Sequence, residues 1–209
     1  MAVALPCFTQ DMEWSLNASL FGIPEDNGIE GGPMPLLPMP GIALVYSMNS
    51  FLAVGGSLDM YSTYYGYSDT LHRAVPVELE HRSSLVVGTI LSPLVTYTMN
   101  IPIGIRLRFL GGFSIDARLC LIANDLTEGD LADASLETKQ VAEYFWAQGR
   151  WFFPMTGFGL DFLTVSRVRI GTDFRVWYPL YRVWSGDQAP AVEGWRFALG
   201  LRFTMLSKP

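Results

Sequence analysis

Lysine is nearly missing from this chain: Lys139 and Lys208 are the only two, against twelve arginines. Charge of either sign is scarce, at 16% of residues, and no run of Lys or Arg occurs. With a formal net charge of −6, this excludes a basic nucleic-acid surface, which needs clustered cations to meet phosphate. Histidine and cysteine are also down to two each, His72, His81, Cys7 and Cys120. No CxxC and no metal-ligand spacing joins them, so neither a metal nor a cofactor is expected. A disulfide between Cys7 and Cys120 has no support in their spacing, and two unpaired thiols are the preferred reading. No phosphate loop or nucleotide fingerprint is present. Met1–Gln10 lacks the basic start and long apolar core of a signal peptide. It reads as a mature N-terminus behind an added Met1, with export specified by residues not in this chain.

Unbroken apolar helices are missing as well. The uncharged runs Gly31–Leu58 and Ser83–Ile105 are each longer than the ~20 residues a helix needs to cross a bilayer. The first carries Pro33, Pro35, Pro38 and Pro40, and the second carries Pro93 and Pro102. Prolines break helices, and the Val, Ile and Thr of the second run favour strands. Strands are therefore preferred over helical spans.

What is there is oil in alternation. Half of the 209 residues are apolar and mean hydropathy is +0.25, oily for a soluble domain of this size. In Val95–Phe109 one parity carries Val95, Tyr97, Met99, Ile101, Ile103, Ile105, Leu107 and Phe109, and the other Thr96, Thr98, Asn100, Pro102, Gly104, Arg106 and Arg108. Trp195, Phe197, Leu199, Leu201, Phe203 and Met205 alternate in the same way with Arg196, Ala198, Gly200, Arg202 and Thr204. Side chains of a strand point to opposite faces with period two. Here the oily faces are built from large residues, while the polar faces carry Gly, Ser, Asp and Arg, types suited to a crowded, hydrogen-bonded interior. That arrangement predicts an all-β fold, an eight-stranded antiparallel up-and-down transmembrane barrel.

The expected strands are Met12–Gly22, Pro40–Met48, Phe51–Tyr65, Val95–Phe109, Phe113–Ala123, Met155–Val165, Val168–Tyr181 and Gly194–Leu206. Asn49-Ser50, Gly111-Gly112 and Ser166-Arg167 read as tight turns, with Gly66–Leu94 a long connector whose Leu85–Leu91 part could extend the following strand. Asp133–Ala147, inside the longest loop, reads as a short helix. Connections thus alternate long and short, as in outer-membrane barrels. The chain divides into a tail (1–11), the barrel (12–206) and a second tail (207–209).

With these registers the inward set comprises Glu13, Asp59, Asp116, Asp161 and Asp173 facing Arg106, Arg108, Arg118, Arg169, Arg175, Arg196 and Arg202. Paired and hydrogen-bonded charges are tolerated in such a place where isolated ones are not, so a salt-bridged, plugged lumen is expected. A proton, ion or small-solute path is the alternative. Aromatics cluster where strands enter long loops: Tyr61, Tyr64, Tyr65 and Tyr67; Trp151, Phe152 and Phe153; Trp177, Tyr178, Tyr181 and Trp184; and Trp195. They read as a membrane-interface girdle. Tyr144-Phe145-Trp146 would let the third long loop rest on the membrane surface.

Catalysis has little footing. His72 and His81 lie in one loop, with Glu78, Glu80, Ser83 and Ser84 near His81 in sequence, and mutual geometry is the test of such a group. Acidic residues mark two long loops, Glu25, Asp26 and Glu30, then Asp125, Glu128, Asp130, Asp133, Glu137 and Glu143. They read as solvated loops or as a surface for a divalent cation, a basic partner or adhesion.

The stretch Asn100-Ile-Pro-Ile-Gly-Ile-Arg-Leu-Arg-Phe-Leu-Gly-Gly-Phe-Ser-Ile resembles a hairpin of small OmpX/OmpA/OmpW-like eight-stranded outer-membrane proteins, including a spirochaete branch. The layout is similar over Met12–Leu206. The resemblance implies a non-enzymatic monomer of the bacterial outer membrane, surrounded by lipid. Its loops would adhere to an extracellular or host partner, or it would pass small hydrophobic solutes as an OmpW-like conduit. A lipid-modifying enzyme is the least favoured alternative, and no catalytic residue carries over.

Overall fold

The computed structural model describes residues 12–24, 34–78, 84–102, 104–122, 131–185 and 194–206. Its strands are β1 (Met12–Gly22), β2 (Leu37–Ser47), β3 (Leu52–Ser68), β4 (Arg73–Val77), β5 (Ser84–Asn100), β6 (Arg106–Ile122), β7 (Phe152–Val165), β8 (Val168–Trp177) and β9 (Arg196–Met205). Helix α1 (Leu131–Trp146) stands between β6 and β7, and the single turn α2 (Arg182–Ser185) between β8 and β9. All neighbours pair antiparallel. The order β2-β1-β9-β8-β7-β6-β5-β3 closes through the β2–β3 pairing into an eight-stranded up-and-down barrel, and β4 adds to the far half of β3. No helix among the described residues is long and apolar enough to cross a membrane.

Alternation builds the wall. Trp14, Leu16, Leu20, Ile42, Leu44, Val95, Tyr97, Phe109, Phe113, Phe158, Phe174, Leu199 and Leu201 are exposed on the outside. No charged residue takes the outward parity in any of the eight ring strands, which makes a belt free of charge and mostly apolar. The walls differ in height. β3, β5 and β6 have 17 residues each, whereas β8 and β9 have 10. At ~3.3 Å per residue the tall wall stands roughly 20 Å above the short one. The extra height lies at the end of the long loops, and α1 packs there against β6, β3, β4 and β5.

Two expectations of the strand layout are corrected. The hairpin expected at Gly111-Gly112 is at Ile101–Ile105, where Ile101 N–H donates to Ile105 O (2.8 Å) and Gly104 N–H to Ile101 O (3.1 Å). Gly104 there takes φ +80°. Parity concealed the turn, because alternation runs unbroken through both places. Gly111 and Gly112 lie inside β6, and a Cβ on Gly112 would collide with the carbonyl of Pro93 across the ladder. Pro93 has no N–H to give, and the β5–β6 ladder skips Ser92 and Pro93. Gly112, one half of a pair that reads as a turn, thus serves close approach to a proline. Second, within Gly66–Leu94 the extension of the following strand through Leu85–Leu91 is present as part of β5, but the segment also holds the end of β3 and all of β4, which were not expected. Smaller differences are the start of β2 at Leu37, the end of β8 at Trp177 and the start of α1 at Leu131.

Candidate functional site

The barrel interior gathers every charged side chain of the eight ring strands, in three layers. At the turn end, Arg169 Nη1 lies 3.2 Å from Glu13 and its Nε 3.9 Å from Asp161. Arg202 bonds Asp161 and Thr204. Its Nε also lies 3.1 Å from Asp173, an ion pair by distance but too bent for a hydrogen bond. Arg108 approaches the same carboxylate at 3.6 Å. In the middle, Arg175 grips Asp59 with both terminal nitrogens, at 2.6 and 2.9 Å, and the Ser57 hydroxyl donates to Asp59 at 3.0 Å. Toward the loop end, Asp116 accepts from Arg118 Nε (2.6 Å), from Arg196 and from the Tyr61 hydroxyl (2.9 Å).

Glycines make room for these carboxylates. Gly41 pairs across the ladder with Asp59, Gly159 with Asp173 and Gly171 with Asp161. A Cβ at any of the three would overlap the opposing carboxylate. Each aspartate therefore lies flat over a bare backbone and reaches sideways to its arginine, which an upright side chain opposite would prevent.

Of the expected charge set, all five acids and six of the seven arginines are brought into ion pairs. Arg106 alone of that set has none among the described residues, although Asp161 stands opposite it in the ladder. The aromatic girdle divides. Tyr61, Tyr65, Phe153, Trp177 and Tyr181 are buried (3%, 3%, 1%, 0% and 9% exposed) and do not form an outer belt. The reason is parity: Tyr61 and Tyr65 share the inward parity of Asp59, Phe153 that of Asp161, and Trp177 that of Arg175. Trp177 Nε1 donates to the Ser114 hydroxyl at 2.9 Å. Tyr64 and Trp151 are half-buried. Phe152 stacks on the exposed Phe113, and Tyr178 meets Trp195 edge to face. The side chain of Trp184 lies outside the described set.

The third long loop does not simply rest on the membrane. Phe145 of α1 is 3% exposed and stands edge-on to Tyr65, with the Arg118 guanidinium over its ring at 4.0 Å. Val141 is fully buried, Thr138 bonds the buried Ser84 hydroxyl at 2.7 Å, and Glu137 accepts the Tyr67 N–H at 2.9 Å. Tyr65, Arg118 and Ser84 all face inward, so α1 is seated against the inner face of the tall wall. Arg150, which sequence reasoning missed, is buried beneath it, with its guanidinium 4.0 Å from the Tyr144 ring centre. Only Trp146 of that aromatic triplet is exposed. The described residues line a cavity of about 30 Å³ at the loop end and another of about 20 Å³ at the turn end.

Of the expected histidine group, only His72, Glu78 and Ser84 fall among the described residues. His72 is exposed in the β3–β4 turn, Ser84 is engaged with Thr138, and His81, Glu80 and Ser83 lie outside the described residues, as do Cys7, Glu25, Asp26, Glu30, Asp125, Glu128 and Asp130. Cys120 is free and half-buried. Among the described residues no group of three or more His, Cys, Asp or Glu could hold a metal. Asp133 is exposed, and Glu143 pairs with Lys139 on the surface of α1.

No family model and no curated protein sequence matches the chain. Solved structures do. Outer membrane protein OprG from Pseudomonas aeruginosa superposes with TM-score 0.53 at 10% identity, covering 94% of this chain and 96% of its own. Neisserial surface protein A superposes with TM-score 0.51 at 9% identity, covering 94% and 96%. Outer membrane protein AlkL, solved in lipid bilayers, gives 0.50 at 15% identity, covering 100% and 98%. The fold is that of small eight-stranded outer-membrane barrels.

Proposed function

We propose that the protein is a non-enzymatic, monomeric barrel of the bacterial outer membrane whose lumen is closed by ion pairs and which presents its long loops outside the cell for adhesion or partner contact. One observation carries this reading: three layers of paired arginines and carboxylates cross the lumen, with α1 seated above them. The cavities described at its two ends, of about 30 and 20 Å³, are of a size that holds a water or two. The apolar belt without charge supports the lipid location, since an arginine facing lipid at the bilayer midplane costs roughly 2–4 kcal/mol. Planar-bilayer conductance on the purified protein is the test. Silence is expected, and discrete, reproducible channels would reject the closed lumen.

A second reading, an OmpW-like conduit for small hydrophobic solutes, is favoured by one feature. The β2–β3 ladder runs only over Gly41–Ser47 and Ala53–Asp59. Beyond it, β2 pairs only with β1, and Pro38 and Pro40 lack the N–H that a ladder needs. This seam opens the wall toward lipid, but Met39 (0% exposed) and Tyr61 fill the interior behind it. A disulfide across the seam, P38C with S62C, would abolish solute uptake into liposomes if the seam is the route and leave it unchanged otherwise.

A further inference from the structure

Beneath the Arg175–Asp59 layer lies the turn-end cavity of about 20 Å³. Its lining mixes hydroxyls, Thr96 and Thr98 among them, with Arg106, Arg108, Arg169 and Arg202, and Glu13 is the one carboxylate in it. Glu13, Asp161 and Asp173 are the carboxylates that pair with this group, so its described part has one more cation than anions. The surplus falls on Arg106, which has no ion pair among the described residues and lines the cavity. Three further donors are idle beside it. The Thr96 hydroxyl, on a side chain 3% exposed, and the Nε groups of Arg108 and Arg202, on side chains 9% and 3% exposed, have no hydrogen-bond partner. Buried donors without partners are costly, and the half-buried Arg106 feels Glu13 and Asp161 only from beyond ion-pair distance.

We propose that this cavity binds one small monovalent anion of halide size, held by the Arg106 and Arg108 guanidinium groups and the Thr96 hydroxyl. A water could accept from the same donors but would leave the charge of Arg106 uncompensated. The volume accommodates about one such particle. The ion completes the lowest layer of the lumen. The inference goes beyond the closed-lumen reading, and the two are read separately, this one by halide binding and that one by conductance.

The test is chloride-35 NMR line broadening by the purified barrel in detergent, with sodium gluconate as the matched salt, and diffraction from bromide-soaked crystals. Expected are chloride broadening that bromide competes away and bromide density between Arg106, Arg108 and Thr96. R106Q should bind chloride roughly tenfold more weakly, the loss of about one charge-assisted hydrogen bond. T96V keeps every charge and should also weaken binding. R167Q, at the exposed β7–β8 turn, should leave it unchanged. Broadening that survives both R106Q and T96V, or that falls equally in R167Q, overturns the proposal, as does bromide found only on the surface. Heat-modifiable gel mobility shows which variants have folded. Should R106Q fail there, T96V and the bromide density decide.

Discussion

The two halves of the lumen each hold more guanidinium groups than carboxylates, and accommodate them by different means. At the turn end, four arginines meet three carboxylates and a wall of hydroxyls, with no aromatic ring among the cavity-lining residues. Toward the loop end, Arg118 and Arg196 share the single carboxylate of Asp116 and lie against rings, Arg118 over Phe145 at 4.0 Å and Arg196 over Phe153 at 3.8 Å. Arginine permits both solutions, because its planar, weakly hydrated guanidinium can take a carboxylate in plane and a ring on its face. Lysine fits neither as well, which gives its near-absence a physical reason. The comparison separates two kinds of closure. The turn end is a lattice of ion pairs on rigid strands, whereas the loop end depends on a helix that can in principle leave.

The sharpest way to break the loop-end arrangement is Asp116→Ala. It strips two guanidinium groups and the Tyr61 hydroxyl of their shared acceptor at once. Breaking a buried pair costs ~3–5 kcal/mol, and this change should reach the top of that range in denaturant unfolding from detergent. Asp59→Ala, which orphans one guanidinium, that of Arg175, and the Ser57 hydroxyl, should lie lower in it. Equal costs would mean that the rings already compensate Arg118 and Arg196.

Next in size comes the glycine–carboxylate pairing. Gly159→Ala should push the Asp173 carboxylate away from Arg202 and Arg108, costing ~1–3 kcal/mol as an overpacked interior position does. Gly111→Ala, with nothing within 4 Å of its Cβ position, should cost well under that. If the two variants unfold together, the glycines opposite carboxylates are not spacers.

Much of this barrel was legible because alternation carries through every strand, and the inward set of twelve charges followed from parity alone. Parity also set the limits. It cannot locate a turn that preserves it, so Ile101–Ile105 was hidden although Pro102 and Gly104 are turn residues. The tyrosines at 61 and 65 and Trp177 were read by their position along the strand, while their own parity already placed them inside with Asp59 and Arg175. The seat of α1 had no such signal: a helix of mixed polarity shows where it is, not which wall it leans on. The glycine opposite each of three aspartates becomes visible only when the register is known.

A third prediction separates the halves by mobility. Phe145→Ala removes the ring that Tyr65 and Arg118 pack against, yet α1 stands on wall that exceeds the ~9–11 residues a strand needs to cross the bilayer. The expected result is release of the loop without loss of the barrel. Trypsin should cut at Lys139 several times faster than in the parent, while heat-modifiable mobility stays the same. Loss of both together would make α1 part of the folding core and not a removable cap.

The smallest expected effect is the most diagnostic of the turn end. Removing an arginine from a buried ion pair is destructive, but Arg106 has no such pair among the described residues and is only half-buried. In a chloride-free gluconate buffer, Arg106→Gln should therefore change unfolding stability by no more than ~0.5 kcal/mol, the range of a substitution that breaks no buried partnership. Arg202, which bonds Asp161 and Thr204 and lies 3.1 Å from Asp173, should cost several times as much when changed to Gln. In chloride the parent should gain stability that Arg106→Gln does not, because an ion bound only by the folded form stabilises it in proportion to its occupancy. A large cost for Arg106→Gln in gluconate would place this arginine inside the ion-pair lattice, and the contrast between the halves would then have to be redrawn with four satisfied cations at the turn end.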